Sequence, residues 1–250
     1  MVKLFEELSM NAWPAFHTLL FDGWVLRLAE GYTKRANSIL PLYGSSQDYN
    51  EKLAFCEAFY GKQGLPAIFK LTDEGCPDNL VHLDHLLEKR GYLRLDETAL
   101  MVLKLNKEDE FPVKGDVVLD WGLSEDWLDN YFQCSKDLSL TNREKARRLL
   151  GNIKGTQVTA RATQEKKPCG FGLGVMERGY LGIFDIIVSE EFRRKGVGKA
   201  VMEGLLRSGR EAGAHTAYLQ VVKGNTPAEK LYEGLGFKKA YSYWYRRQPV

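Results

Sequence analysis

The chain has 250 residues, 44% of them hydrophobic and 27% charged, with a formal net charge of +2. These values are ordinary for a globular protein, and the length allows one large domain or two small ones with buried cores. No apolar run reaches the roughly 18 residues that span a bilayer. The first ten residues lack the basic start and apolar stretch of a secretory signal. The sequence therefore predicts a soluble protein that does not enter membranes.

Cysteine usage indicates a reducing compartment. The chain has four widely separated cysteines and no Cys-x-x-Cys pair: Cys56, Cys76, Cys134 and Cys169. His82 and His85 lie near Cys76 in sequence, but no fourth metal ligand is close to them. We therefore expect free thiols, a cytoplasmic location and no metal site.

The charge is distributed unevenly. Residues 1–112 contain 12 Lys and Arg against 17 Asp and Glu, whereas residues 113–250 contain 23 against 16. A basic second half favours a polyanionic ligand there, either a phosphorylated cofactor or nucleic acid. The basic residues do not form a stripe with interleaved aromatics, so the sequence favours the cofactor and predicts no nucleic-acid binding.

Hydrophobic periodicity predicts a chain of alternating strands and helices. The charged, Pro- and Gly-containing stretch 107–116 is the candidate linker. Before it we expect strands at 23–28, 66–71 and 98–105 and helices at 46–60 and 80–90. After it we expect strands at 117–119, 158–163, 170–176, 180–188, 217–222 and 239–245, and helices at 125–135, 142–150 and 196–212.

One further helix has a start signal of its own. Thr226 supplies a capping hydroxyl, Pro227 suits the first turn, and Glu229 follows three residues after Thr226. The segment 228–237 is similar to 83–92, since both are predicted helices that end at Gly followed by an aromatic residue. This similarity predicts two related α/β units in tandem.

The strand at 180–188 leads into a basic, glycine-containing turn that opens a helix. The turn reads Arg193, Arg194, Lys195, Gly196, Val197 and Gly198, followed by Lys199. A helix N-terminus offers unpaired N–H groups and the positive end of its dipole, which attract phosphate oxygens. Glycine lets the backbone approach a pyrophosphate closely. Alone, the turn is equally consistent with a solvated basic loop.

The residues around this turn resemble the GNAT superfamily of acyl-CoA-dependent N-acyltransferases. The resemblance runs through residues 186–199 and on to 225–237, where Asn225, Tyr232 and Gly236-Phe237 follow in the family's order. It covers roughly residues 117–245. The segment 23–38 resembles the opening of bacterial tandem GNAT proteins, whose first unit is a degenerate copy. No Arg-x-x-Gly-x-Gly occurs before the linker, so no second CoA site is expected.

The resemblance implies a fold and a domain division. The fold expected is α/β (α+β), with a mixed, mostly antiparallel twisted sheet flanked by helices in two tandem GNAT-like units. Residues 1–108 would form the degenerate N-terminal domain, and residues 113–250 the catalytic acetyltransferase domain.

The resemblance also implies roles for individual residues. The backbone of Ile186, Ile187 and Val188 would pair with the pantetheine arm of acetyl-CoA as an added strand. The turn from Arg193 to Lys199 would hold the pyrophosphate, chiefly through the backbone amides of 194–199. Asn225 would lie near the pantetheine; the alternative is that it serves only as a helix cap.

Two residues are candidates for catalysis. Tyr232 stands where the family has its general acid, which protonates the departing CoA thiolate; the alternative is a core aromatic. Asp185 is the only acid on the strand before the phosphate turn and is a candidate base. On a regular strand it would face away from Phe184, which leaves the usual base position open to a water or to an acid from elsewhere.

Two other clusters remain ambiguous at this stage. The polar residues of 32–38 either face the acceptor or form a buried hydrogen-bonded hairpin. The aromatic run 241–245 either lines an acceptor pocket or packs a strand.

The function expected is transfer of an acetyl group from acetyl-CoA to the primary amine of a small molecule or peptide, by direct attack in a ternary complex. The alternative is a non-catalytic acyl-CoA-binding or sensing module. Both hypotheses, the enzyme and the binding module, are compatible with a monomer or a homodimer.

Overall fold

The computed structural model describes residues 1–74, 80–135 and 138–249. It is a mixed α/β structure whose strands pair mostly antiparallel, as expected. The chain divides into two compact units, residues 1–99 with 241–250 and residues 100–240. Within the described ranges, no helix is both long and apolar enough to cross a membrane. Cys76 lies outside the described residues.

The first unit is built on strands that neighbour one another in the order β1-β2-β3-β4-β11. One face of this sheet carries an apolar core in which Trp24, Leu26 and Phe69 are buried with residues of two helices. The elements of this unit are α1 (Val2–Ala12), β1 (His17–Phe21), β2 (Trp24–Leu28), β3 (Ile39–Pro41), α2 (Tyr49–Gly61), β4 (Ile68–Thr72), α3 (Leu80–Lys89) and β11 (Lys238–Arg247).

The second unit has strands in the order β10-β9-β8-β7-β6. Strand β9 pairs antiparallel with β8 and parallel with β10. Its elements are β6 (Asp116–Trp121), α4 (Glu125–Cys134), α5 (Leu140–Gly151), β7 (Thr156–Gln164), β8 (Lys167–Glu177), β9 (Tyr180–Val188), α6 (Val197–Glu211), β10 (Thr216–Val222) and α7 (Thr226–Gly234). Strand β5 (Leu93–Lys104) crosses the boundary between the units, and so does β11, whose first three residues belong to the second unit.

Most predicted elements are present, but three were missed and one is longer than expected. Helix α1 and strands β1 and β3 were not predicted, and β5 begins five residues before Thr98. The signal for α1 was available, since Val2, Phe5 and Leu8 recur at helical spacing and are all buried.

Alternating glycines on β8 bring α6 close to the sheet. A Cβ atom at Gly170 would lie 2.5 Å from Cγ1 of Val197, and one at Gly172 would lie 2.7 Å from Cγ1 of Val201. Real Cβ atoms do not approach that closely, so glycine is what allows α6 to sit at this depth. The packing thereby fixes where the N-terminus of α6 lies relative to β9.

Candidate functional site

The turn that opens α6 leaves the N-terminus of this helix without a side-chain cap among the described residues. Residues Glu190–Phe192 form a 3₁₀ turn, and Gly196 then takes the N-cap position with a left-handed φ of 82°. The first amides of α6 therefore remain available to an external anion.

Four basic side chains surround this helix end, and all four are exposed: Arg193, Arg194, Lys195 and Lys199. Nε of Arg193 donates to the carbonyl of Val188 at 3.2 Å, which ties the turn to the end of β9. The ammonium of Lys199 lies 3.7 Å from the carboxylate of Glu203. The group thus supplies a positive field whose charges are only partly paired.

Gly198 marks the point where three elements meet. A Cβ atom here would lie 3.5 Å from Cδ2 of Leu231 on α7 and 3.6 Å from Cγ2 of Val188 on β9. These are ordinary van der Waals distances, and the φ of Gly198 is not in the left-handed region. The packing of the chain itself therefore does not require glycine at this position, whereas close approach of a ligand would.

Strands β9 and β10 are paired over only part of their lengths. Their register covers Tyr180–Ile183 against Thr216–Leu219. Strand β9 continues to Val188 and β10 to Val222. Ile186, Ile187 and Val188, predicted to bind pantetheine, lie in this continuation and are half-buried. Backbone groups at this position can accept an added extended segment.

The structure corrects the sequence argument about Asp185. Strand β9 is not regular there, because its register against β8 shifts between the pairs Phe171–Ile187 and Leu173–Phe184. Asp185 has a φ of 52°, which marks a β-bulge. Simple alternation therefore does not decide which way this half-buried carboxyl faces, and the inference of an empty base position does not follow from it.

Tyr232 lies on α7 and is 8% exposed. Its ring packs edge-on against Phe237, with centroids 6.2 Å apart. Burial raises the pKa of its phenol above the usual value of 10. The phenol is therefore protonated at neutral pH, as a general acid must be.

The start of α7 differs from the predicted cap. Asn225, not Thr226, occupies the N-cap position, and within the described ranges its side chain makes no capping hydrogen bond. The carboxylate of Glu229 instead accepts from the amide of Gly224 at 3.2 Å. Asn225 is exposed, so its side chain is not committed to the cap that was the alternative role.

A cleft beside the end of β9 includes residues that the sequence did not single out. It is lined by Gln133, Cys134 and Ser189 together with Ile187, Val188 and Arg193. The thiol of Cys134 lies 3.1 Å from the hydroxyl of Ser189. Cys134 ends α4, and Trp127 on that helix donates to the carbonyl of Ala160 at 3.0 Å. No local sequence signal marks this cleft, because it depends on where α4 packs.

The ambiguous polar segment of the first unit contains a hydrogen-bonded loop. Oδ1 of buried Asn37 accepts from the amides of Ala29 and Gly31 at 2.7 and 2.9 Å. Its Nδ2 donates to the carbonyls of Tyr32 and Thr33 at 2.7 and 2.9 Å. Asn37 is therefore an organiser of this loop.

Of the four cysteines, Cys56 and Cys169 are buried free thiols, and Cys134 is a half-buried one.

Comparison with known proteins gives a family match over almost the whole chain. Residues 2–246 match the family described as "Probable histone acetyltransferase Rv0428c C-terminal". An uncharacterized N-acetyltransferase, YobR, of Bacillus subtilis is 28% identical over 98% of each chain. The ribosomal protein bS18-alanine N-acetyltransferase of Escherichia coli is 33% identical over 31% of this chain and 53% of its own length.

Solved structures with low sequence identity share the fold. A GCN5-related N-acetyltransferase from Kribbella flavida has a TM-score of 0.70 at 13% identity, over 100% of this chain and 96% of its own. A tandem GNAT protein from the clavulanic acid biosynthesis pathway has a TM-score of 0.63 at 12% identity, over 80% and 70%.

Proposed function

The chain belongs to the Rv0428c C-terminal acetyltransferase family and is a GNAT acyltransferase that uses acyl-CoA, and from this premise we propose its specific reaction. It transfers an acetyl group from acetyl-CoA to the primary amine of a small molecule or peptide, by direct attack in a ternary complex. We further propose that residues 113–250 form the catalytic domain and residues 1–108 a degenerate GNAT-like domain.

One observation carries the cofactor part of the proposal. The end of β9, the uncapped start of α6 and the side of α7 converge around Gly198. In the proposal, the amides of residues 194–199 hold the pyrophosphate and the exposed basic side chains offset its charge. The backbone of Ile186–Val188 pairs with the pantetheine arm, and Asn225 lies near that arm. Acetyl-CoA, when bound, supplies the acetyl group as an activated thioester.

Tyr232 is proposed as the general acid. Because burial raises the pKa of its phenol, Tyr232 is protonated at neutral pH and has a proton to donate when the CoA thiolate leaves. Its ring packs edge-on against Phe237. The proton of Tyr232 would then pass to the leaving sulfur.

Asp185 is proposed as the group that accepts the amine proton, directly or through a water. Its place on the bulge, next to the proposed pantetheine strand, supports this role. A base is needed because an alkylammonium ion has no lone pair for attack on the thioester.

The proposal is tested by following release of free CoA thiol from acetyl-CoA with a panel of small primary amines and short peptides. We expect at least one amine to give saturable turnover. Tyr232→Phe should lower kcat by about 10²-fold or more, the usual contribution of a general acid, while the Kd for acetyl-CoA is kept. Tyr218→Phe, another buried tyrosine of the second unit, is the matched control.

Two results would contradict these assignments. Tight acetyl-CoA binding without turnover on any amine would favour the sensing module over the enzyme. An unchanged kcat in Tyr232→Phe, with turnover otherwise present, would remove Tyr232 from the acid role.

A further inference from the structure

The sheet of the first unit has a second face that is polar as well as buried. Lys70 and Tyr245 are register partners on β4 and β11, and the amide of Arg27 donates to the carbonyl of Ser38 at 3.1 Å. These side chains lie on the face opposite the apolar core. We define the buried polar cluster as the buried residues Glu6, Ser38, Lys70, Tyr243 and Tyr245 together with the half-buried Arg35. None of its members has a part in the acetyl transfer proposed above.

The single carboxylate of the cluster is already neutralised. Oε2 of Glu6 lies 2.6 Å from Nζ of Lys70, and Oε1 accepts from the hydroxyl of Tyr241 at 2.7 Å. Both Glu6 and Lys70 are buried. A negative ligand would therefore not meet an uncompensated carboxylate here.

The positive charges of the cluster exceed the negative ones. The guanidinium of Arg35 lies 4.6 Å from the ring centroid of Trp13. In the described part of the chain, no carboxylate forms an ion pair with Arg35. Neighbouring Arg27 is 4% exposed and donates to the carbonyls of Met10, Trp13 and Arg35. Its hydrogen bonds go to carbonyl groups, the carboxylate of Glu6 stabilises its charge from a longer distance, and burial lowers its pKa to about 10.

Two hydroxyls of the cluster lack a well-formed hydrogen bond. Oγ of Ser38 and the phenol oxygen of Tyr245 are buried without a hydrogen bond of normal geometry among the described residues, although the phenol of Tyr243 is close enough to that of Tyr245 to contribute to its raised pKa. Such a group costs about 1–3 kcal/mol when it is left unsatisfied. Native proteins usually satisfy buried polar groups with protein, water or ligand.

The tyrosines of the cluster are suited to donating hydrogen bonds. Burial raises the pKa of Tyr243 to about 12, although the nearby Arg35 charge opposes the shift. Burial also raises the pKa of Tyr245 well above its usual value. Both phenols therefore keep their protons at physiological pH. Donor hydroxyls beside surplus positive charge favour an oxyanion.

We propose that the buried polar cluster binds the oxyanion group, carboxylate or phosphate, of a small molecule. Ser38 and Tyr245 donate to the oxyanion, and Arg35 supplies the compensating charge. Asn37, adjacent to Ser38, holds the backbone of residues 29–33 through four hydrogen bonds, so the loop that carries Arg35 is organised before the ligand arrives. This site goes beyond acetyl transfer and is independent of it.

The test is thermal unfolding of the full chain with sodium acetate or sodium phosphate, at an ionic strength held constant with chloride. We expect Tm to rise with the concentration of at least one of the two anions, because a ligand that binds only the folded state stabilises it. A response to acetate alone identifies a carboxylate site, and a response to phosphate alone identifies a phosphate site.

Variants separate this site from general salt effects. Ser38→Ala and Tyr245→Phe should be at least as stable as the wild type without the anion, since each removes an unsatisfied hydroxyl, and both should lose the rise in Tm. Arg35→Gln should lose it too. Arg94→Gln is the matched control, because Arg94 also stacks on a tryptophan, 4.2 Å from the ring of Trp244, and it should keep the rise.

The proposal is overturned if neither anion raises the Tm of the wild type, or if Ser38→Ala and Arg35→Gln respond as the wild type does. A Ser38→Ala variant that is less stable than the wild type without added anion, with no anion response in either protein, would indicate an internal water instead.

Discussion

At Gly198, near the start of α6, the surrounding side chains leave room for a methyl group. A methyl group there would make ordinary contacts with Leu231 and Val188, and alanine favours a helix over glycine by about 1 kcal/mol. We therefore expect Gly198→Ala to fold with an equal or higher Tm but to bind acetyl-CoA about tenfold or more weakly. Calorimetric titration and thermal unfolding measure the two effects.

Gly151→Ala is the control for this prediction. Gly151 is also helical, has nothing within 4 Å of its would-be Cβ atom, and lies at the end of α5. It should show the same direction in Tm and an unchanged Kd. Equal affinities in the two variants would mean that the ligand does not approach the backbone at Gly198.

Asp22 stabilises the first unit through its charge. The amide of Gln47, the hydroxyl of Ser45 and the ammonium of Lys52 bond its carboxylate and hold its pKa far below the usual range. Because the folded pKa is depressed, this contribution is complete above the unfolded value near 4 and is lost as pH falls below it.

Asp22→Asn should therefore lower Tm at pH 7, and the gap to the wild type should narrow as the pH falls from about 5 to 3. Thermal unfolding across that range measures it. A gap that stays constant with pH would mean that the hydrogen-bond geometry, not the charge, provides the stability.

At the scale of elements, a buried ion pair joins α1 to β4 of the same unit. Glu6 and Lys70 are 1% and 6% exposed and 2.6 Å apart. Removing one partner leaves the other charge buried, which typically costs about 3–5 kcal/mol. Lys70→Met should thus be strongly destabilised, and Glu6→Leu/Lys70→Met should recover much of the loss. Chemical denaturation compares them; a double variant no more stable than the single one would contradict the account.

The sequence predicted the elements of the second unit well because its strands and helices follow clear periodicities. The boundaries of β9 and the type of turn before α6 could be read from local residues. The bulge at Asp185 could not, since it depends on the register against β8. The cap of α7 also differs, because Glu229 bonds the amide of Gly224 while Asn225 takes the cap position.

For the molecule as a whole, the family assignment agrees with the resemblance seen in two short motifs. The motifs suffice because residues 193–199, Asn225 and Tyr232 lie in one stretch of chain. The division of the chain into two units is harder to predict from the sequence, because residues 241–250 belong to the first unit although they lie at the end of the chain. The sequence also did not predict the buried polar face of that unit, because Glu6, Ser38, Lys70 and Tyr245 are far apart in sequence.

The most direct test of the central claim is a crystal structure of the protein in complex with CoA. We expect the pyrophosphate to lie against the backbone amides of residues 194–199, and the pantetheine arm to run beside Ile186–Val188 with its sulfur toward Tyr232. A CoA molecule bound elsewhere, or one whose phosphates avoid the start of α6, would contradict the account.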